Sequence, residues 1–577
     1  MNLTLKDVYK GYTLDQDKAV TPRETVRRLL DRLAAIDMDI FEKAVRIDNG
    51  RLDIPVFISY YGKDARAVTG IRKQMGKGAT PEQAEASALM ELAERFSFFS
   101  FCNDPSRFVT GTYRQFAETA LPYAAIARSV HDETDAVDRL RPVFEALPMR
   151  WTEGWNLTEG RSVWVPFDWF YAINAFNGPS AGNCTEEALV QGICEIVERH
   201  VCSLISRNRI RVPAIRPQTA ADPLVQQMLG KYERNGIRLV VSDFTLDMGI
   251  PTVGVLAWDP STFPESSEIV WTAGTTPSPE KAFSRALTEI AQLAGDFNSG
   301  SRYEASGLPK PASLDAVSFI LSSDRRVDLQ VLPNLSDPNL RIEVERCVAA
   351  LAARHLDVIV IDTMHPLLKI PAFYTIVPGA HFRERAASGN IGMFTAKLVC
   401  QNHPPKRALT ILQQMAILLP DAYYLPFYMG TLLFEAEEPE AALLHLHAAL
   451  DRNPPAEDRA AVHSYVGQCY KLLGRYPEAI QTLEEGLVLD PDRTDILNLL
   501  GFCRFKTGDH EAAVRCFEAI LEQDPSSAID HANLAVNLQR LGRIPEAVHH
   551  FEQALRLDPG IDFARNALEA LSCHQPA

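Results

Sequence analysis

Hydrophobic and polar positions follow two different rhythms along this chain. Over the first 385 residues, short apolar and β-branched runs alternate with helical patterns. IPVFISYY (54–61), IRLVVSDFT (237–245), PTVGVLAW (251–258), DVIVIDT (357–363) and IPAFYTIVPG (370–379) predict strands. Helix-period segments lie between them, so this part is a mixed α/β region. Residues 104–150 predict a helical insertion. Further on, the pattern is helical throughout and recurs with a step of 34, which carries Gly474 to Gly508 and Gly542, and Ala479 to Ala513 and Ala547. Asp490-Pro491, Asp524-Pro525 and Asp558-Pro559 keep the same step, as do Gly467, Gly501 and Ala535. Two looser copies lie around Ala408–Pro420 and Ala441–Pro454. PGAHFRERAASGN (378–390) has the composition of a linker, and a domain boundary is expected near 380–395.

The repeat has a physical reading. Each unit is two amphipathic helices, whose glycine and alanine positions let them approach closely. Asp-Pro stops the second helix. Stacked units then share a core and leave a concave face. Period and pattern resemble tetratricopeptide repeats. The chain is therefore expected to hold two domains, 1–385 and 386–577, the second with about five repeats.

Composition narrows the function classes. The chain has 577 residues, 46% hydrophobic and 23% charged, with a net charge of −16. This is ordinary globular protein, and no nucleic-acid surface is expected. Residues 391–577 hold 15 basic and 25 acidic side chains, a net of −10. That acidity suits either a basic peptide partner on the concave face or a solvated surface. The N-terminus MNLTLKDVYKGYTLDQD shows no signal-peptide pattern, and no apolar run is long enough to span a membrane. The ten cysteines contain no CxxC pair. A cytoplasmic, reducing location is expected.

Candidate chemistry sits on three separated helices that share one template: TPEQAEASALMELAERF (80–96), CTEEALVQGICEIVERH (184–200) and SPEKAFSRALTEIAQLA (278–294). Aligned on Glu91, Glu195 and Glu289, they place Glu82, Glu186 and Glu280 nine positions earlier and Glu94, Glu198 and Gln292 three later. Arg95 and Arg199 follow. Thr80-Pro81 and Ser278-Pro279 are helix-start signals. Helical spacing puts Ser87, Glu91, Glu94 and Arg95 on one stripe, Glu187, Gln191, Glu195 and Glu198 on another, and Arg285, Glu289 and Gln292 on a third. One such stripe would be a solvated face. Three, flanked by alanines and apolar residues, imply carboxylates turned inward, which repel unless cations neutralise them. Hard divalent ions with substrate phosphates would do so, and arginines can fork onto phosphate oxygens. This points to a Mg²⁺–nucleotide site.

Competing motifs are absent or isolated. There is no GxxxxGK[ST], and Gly76-Lys77-Gly78 alone is a weak signal. GPSAG (178–182) matches GxSxG, but the helical pattern starts only near Thr185, which favours a turn or a ligand-binding loop over a nucleophile elbow. His200 has no spaced ligand partner. Cys184, Cys194 and Cys202 are read as structural.

These residues resemble the YcaO family. SALMELAERF contains its SxxxExxER, NGPSAGNCTEEALVQGICEIVERH resembles its second signature, and RALTEIAQ its third, RxxxExxQ. GKG (76–78), Asp243-Phe244-Thr245 and VPG (377–379) add to the match, which covers about 1–385. The resemblance implies an α+β YcaO-type domain followed by an all-α tetratricopeptide-repeat solenoid. It implies ATP and Mg²⁺ as cofactors, and phosphorylation of a peptide-bond oxygen followed by nucleophilic substitution. The product is an azoline, a thioamide or an amidine. Carried over by motif, Glu91, Glu94, Glu195, Glu198 and Glu289 are the metal and phosphate carboxylates, and Arg95, Arg199 and Arg285 are phosphate contacts. Ser87, Ser180, Asn183 and Glu187 are further nucleotide positions, with Lys18 and Thr25 from the N-terminus. No catalytic residue is assigned.

Azoline-forming members end in a PxPxP tail, whereas this sequence ends LEALSCHQPA, so thioamide formation or an accessory role in modifying a protein or peptide is favoured. A TfuA-like sulfur-delivering partner and a homodimer are compatible with the resemblance. The competing function is a nucleotide-binding repeat adaptor without amide chemistry of its own.

Overall fold

A computed structural model of the protein describes residues 2–48, 50–265, 267–297, 311–382 and 389–572. It divides into two compact units. The first comprises residues 1–134 and 145–391, and the second 135–144 and 392–577. Part of the linker anticipated at 378–390 lies outside the described residues.

Three sheets build the first unit. An antiparallel sheet joins Phe41–Arg46, Val56–Tyr61 and Lys73–Lys77. A five-stranded sheet runs in the order Val270–Thr275, Thr252–Trp258, Arg238–Asp243, Ala214–Ile215, Arg326–Val327. The third runs Val109–Gly111, Met149–Asn156, Ile359–Asp362, Ala372–Ile376, Pro179–Ala181, with Arg161–Pro166 paired to Met149–Asn156. The predicted strands all appear. The stretch 104–150 is not wholly helical: Val109–Gly111 pairs with Met149–Trp151 and closes one edge of the third sheet. Three residues are too short a run to show a strand period, so only pairing reveals this one.

The three template helices are Pro81–Asn103, Thr185–Asn208 and Pro279–Ala294. Thr80 Oγ1 accepts from the Gln83 amide at 3.2 Å, and Cys184 Sγ from the Glu187 amide at 3.4 Å. Each cap satisfies a backbone donor of the first turn that has no partner within the helix. Their apolar sides are buried: Ala88, Leu92 and Phe96 on the first, Leu189, Ile193 and Val197 on the second, Phe283, Leu287 and Ile290 on the third. The first-turn glutamates tie down other segments. Glu82 pairs with Arg23, Glu186 accepts from the Lys6 amide and Glu280 from the Ala221 amide. They play no part in the site described below.

Strand Lys73–Lys77 lies flush against helix Pro81–Asn103. A Cβ on Gly76 would stand 2.0 Å from the Ala88 nitrogen, and one on Gly78 2.6 Å from the Ala84 nitrogen. Helix Thr185–Asn208 is pressed in the same way against the third sheet. A Cβ on Gly192 would meet Thr375 Oγ1 at 2.4 Å and Ser180 Oγ at 2.7 Å.

Three imidazoles hold the end of the last strand. His131 and His381 stack with centroids 3.5 Å apart and planes 7° apart, and the His381 amide donates to His200 Nδ1 at 3.0 Å. Burial lowers all three pKa values, to about 4 for His200 and about 3 for His381, and the Arg207 charge acts in the same direction on His131 and His381.

The second unit is all helical. From Ile391–Asn402 onward, consecutive helices run to Asp562–Ser572 through hairpins such as Ala456–Leu472 with Tyr476–Leu489. Gly474, Gly508 and Gly542 take φ of +70°, +81° and +76°, the left-handed conformation that turns each repeat from its first helix to its second.

Two predictions follow from this packing. Gly76→Ala should destabilise the protein by about 1–3 kcal/mol in thermal or urea unfolding, because backbone must move. Gly230→Ala, which meets only the flexible Arg234 guanidinium at 3.2 Å, should not. The histidine pKa values are depressed on folding, so their stabilisation is complete above the unfolded value of about 6.5 and is lost as pH falls toward 4. The unfolding midpoint of wild type should therefore drop over that window, and drop less in His381→Phe.

Candidate functional site

Amphipathic spacing brings the three charged stripes to one cleft of about 260 Å³. Thr80 and Cys184 cap their helices through their side chains, whereas Ser278 makes no side-chain cap bond. Glu91, Glu94, Arg95 and Ser87 line it from the first helix, Glu187, Glu195 and Arg199 from the second, and Arg285 and Glu289 from the third. Asn183 lines it from the turn before the second helix. Lys18 and Thr25 enter from the N-terminal segment, which Glu187 fastens. The Glu187 carboxylate accepts from the Ala19 amide at 2.8 Å and from Asn183 Nδ2 at 3.0 Å, and faces Lys18 Nζ at 3.7 Å. Thr25 Oγ1 donates to Asn183 Oδ1 at 3.1 Å.

Two predicted residues are placed elsewhere. Ser180 sits on strand Pro179–Ala181 and is completely buried against Gly192, while its neighbour Ala181 faces the cleft. Strand alternation is the reason: adjacent side chains point to opposite faces. The Ser180 hydroxyl has no hydrogen-bond partner among the described residues. Glu198 lies beneath the lining. Its Oε2 accepts from the Thr275 amide at 3.1 Å and faces Arg285 Nε at 3.3 Å.

Each carboxylate is matched by a cation. Arg95 faces Glu94 at 3.4 Å and Glu91 at 4.0 Å, Arg199 faces Glu195 at 3.9 Å, and Arg285 holds Glu198. Glu289 pairs with Lys77, a residue that helix spacing does not reveal. Lys77 belongs to the strand of the Gly-Lys-Gly motif, where its side chain and that of Met75 face the cleft. Gln16, Gln83, Gln191 and Gln292 complete the polar lining. Gln191 and Gln292 fall on the predicted stripes.

The electrostatics are those of a desolvated charge cluster. Burial, opposed by Arg95, raises the Glu94 carboxyl well above the usual carboxylate range, and burial, opposed by Arg199, raises Glu195. Burial, reinforced by the Arg285 charge and opposed by the Glu198 and Glu91 carboxylates, pushes Lys77 down to about 7. Among the described residues no group of three or more His, Cys, Asp or Glu side chains is gathered tightly enough to hold a metal ion by itself. The carboxylates stand apart, interleaved with guanidinium groups, in the alternation that a polyphosphate with divalent cations would match.

The YcaO family profile, described as a YcaO cyclodehydratase, ATP- and Mg²⁺-binding, matches residues 75–381. The chain belongs to the YcaO family. Two tetratricopeptide profiles match residues 429–494 and 492–559. The chain is therefore a YcaO domain that binds ATP with Mg²⁺, followed by tetratricopeptide repeats.

Relatives extend the picture. An uncharacterized protein of Methanothermobacter thermautotrophicus is 27% identical over 396 residues, 63% of this chain and 94% of that protein. An uncharacterized protein in the tfuA 3′ region of Rhizobium leguminosarum bv. trifolii is 25% identical over 406 residues, 65% of this chain and 91% of that protein. The Escherichia coli ribosomal protein S12 methylthiotransferase accessory factor YcaO is 27% identical over 251 residues, 38% of this chain and 40% of that one. Two solved structures share the fold. One is a heterocyclase in complex with substrate and cofactor, with TM-score 0.55 and 22% identity, over 67% of this chain and 56% of that one. The other is YcaO from Methanopyrus kandleri bound with AMPPCP and Mg²⁺, with TM-score 0.50 and 24% identity, over 65% of this chain and 95% of that one.

Removing one partner of a buried pair leaves the other charge uncompensated. Arg285→Ala should destabilise the ligand-free protein by about 3 kcal/mol through Glu198, and Arg285→Lys by less, in thermal unfolding.

Proposed function

We propose that the cleft activates a peptide-bond oxygen by ATP-dependent phosphorylation, in the modification of a protein or peptide. One observation carries the reading: carboxylates from three helices converge on a single cleft, alternating with Arg95, Arg199, Arg285, Lys18 and Lys77. The donor set fits the cofactors. Hard carboxylate oxygens of Glu91, Glu94, Glu195 and Glu289 would hold Mg²⁺, with Glu198 supporting them from below through Arg285. Guanidinium groups of Arg95, Arg199 and Arg285 would hold phosphate oxygens. Asn183, Ser87, Thr25 and Lys18 are assigned to the nucleotide. Ser180 is assigned only a packing role.

Bound ATP supplies the phosphoryl group that turns an amide oxygen into a leaving group, while Mg²⁺ screens its phosphates. The γ-phosphoryl group moves to the amide oxygen and ADP leaves. A nucleophile then bonds to the amide carbon and inorganic phosphate departs with that oxygen. The chain's residues would supply position and charge: Arg95, Arg199 and Arg285 would meet the phosphate oxygens on which negative charge accumulates.

Within the family's chemistries we favour thioamide formation or an accessory role. The support is the relative encoded beside tfuA, which this chain covers almost fully, together with the accessory factor of the S12 methylthiotransferase. A TfuA-like protein is the proposed sulfur donor, with the repeats as its docking element or that of the target protein, in a cytoplasmic homodimer.

Incubation with ATP, Mg²⁺, a sulfide source and candidate substrates should release phosphate and replace one oxygen by sulfur in the product mass. Glu195→Gln should lower phosphate release at least about a hundredfold. Release at the wild-type rate in that variant would refute the assignment.

A further inference from the structure

The Gly-Lys-Gly strand presents a cation that the three helices do not. Gly76 and Gly78 each lack a side chain because helix Pro81–Asn103 occupies that space, with Ala88 and Ala84 backbone 2.0 and 2.6 Å from the missing Cβ atoms. Lys77, between them, faces the other way and lines the cleft. Both members of its pair are largely shielded, with side chains 15% exposed for Lys77 and 13% for Glu289. The strand's approach thus sets one ammonium group against Glu289, whereas Glu91, Glu94, Glu195 and Glu198 face guanidinium groups carried on the helices.

The two kinds of cation differ. A guanidinium is broad and weakly hydrated, while an ammonium is a compact, strongly hydrated point charge on a flexible stem. Of the cleft's cations, an ammonium comes closest to a small metal ion in charge density. A carboxylate oxygen engaged by it cannot also coordinate a divalent cation without severe repulsion between the two.

We propose that Lys77 is a positioning residue that occupies Glu289 until ATP arrives with Mg²⁺, then passes to the phosphate oxygens as the metal takes the carboxylate. This rests on the reading of the cleft as an ATP and Mg²⁺ site. The exchange keeps charge balanced throughout: the ammonium loses one anion and gains another, and Glu289 trades one cation for another. Its consequence is ordered assembly. Metal alone is kept out of the empty cleft, and metal and nucleotide enter together.

The test compares wild type, Lys77→Met and Lys77→Arg as full-length chains. Free Mn²⁺ is titrated into each without nucleotide, followed by electron paramagnetic resonance, and ATP affinity is then measured over a series of Mg²⁺ concentrations. Wild type should bind Mn²⁺ weakly alone and ATP tightly with Mg²⁺. Lys77→Met should bind Mn²⁺ alone about tenfold more tightly and lose about tenfold in ATP affinity. Lys77→Arg, which keeps the charge but not the compact ammonium, should exclude metal better than Lys77→Met and less well than wild type. Should Lys77→Met not fold, Lys77→Gln, which can still donate a hydrogen bond to Glu289, carries the same expectation. Free-metal affinity equal to that of wild type in the neutral variants would overturn the role of Lys77, even with ATP binding intact in wild type. Wild type that fails to bind ATP with Mg²⁺ would overturn the reading of the cleft as well.

Discussion

Desolvated carboxylates facing one another across a cleft are the constraint on which the rest of the first unit depends. Glu94, Glu195 and Glu198 are withdrawn from water on helices whose other faces are core. Like charges so placed destabilise a fold unless each meets a cation. The protein answers with Arg95, Arg199, Arg285 and Lys77, each supplied from a different place in the chain. Even the N-terminal segment is recruited, through Lys18 and the Ala19 amide on Glu187. Helix caps, flush glycine contacts and the His131–His381 stack, tied to His200 by the His381 amide, keep these elements in place.

That arrangement is stable without ligand and open to replacement by it. No three carboxylates are close enough to bind a metal by themselves among the described residues. The protein's own cations hold the carboxylates that metal would engage, and its carboxylates hold the cations that phosphate would engage. A site of this kind exchanges one set of charge pairs for another and exposes no unpaired charge at any stage. The proposed amide chemistry would need no dedicated nucleophile from the chain, whose thiols Cys194 and Cys202 are buried.

Much of this was legible in the sequence, for physical reasons. Helical period alone places Glu91, Glu94 and Arg95, or Arg285 and Glu289, on one face, and cap residues fix where the helices begin. The 34-residue step marks the repeats because each unit must present the same small residues to its neighbours. What the sequence hid is long-range. Nothing local says that Lys77 meets Glu289, since strand and helix are joined only by the fold. Nothing local says that Glu198 lies below the lining, because one helical stripe does not reveal depth. Strand register turns Ala181, not Ser180, to the cleft, which the GPSAG motif alone does not reveal. Val109–Gly111 is too short to announce itself, and only its partner Met149–Trp151 makes it a strand.

The account stands or falls on whether the three-helix cleft holds ATP through Mg²⁺. Calorimetric titration of ATP into the full-length protein, with and without Mg²⁺, on wild type and Glu94→Ala, tests it most directly. The account predicts binding that requires Mg²⁺ in wild type and disappears in a folded Glu94→Ala protein. Binding of equal affinity in both proteins, or binding indifferent to Mg²⁺, would contradict it.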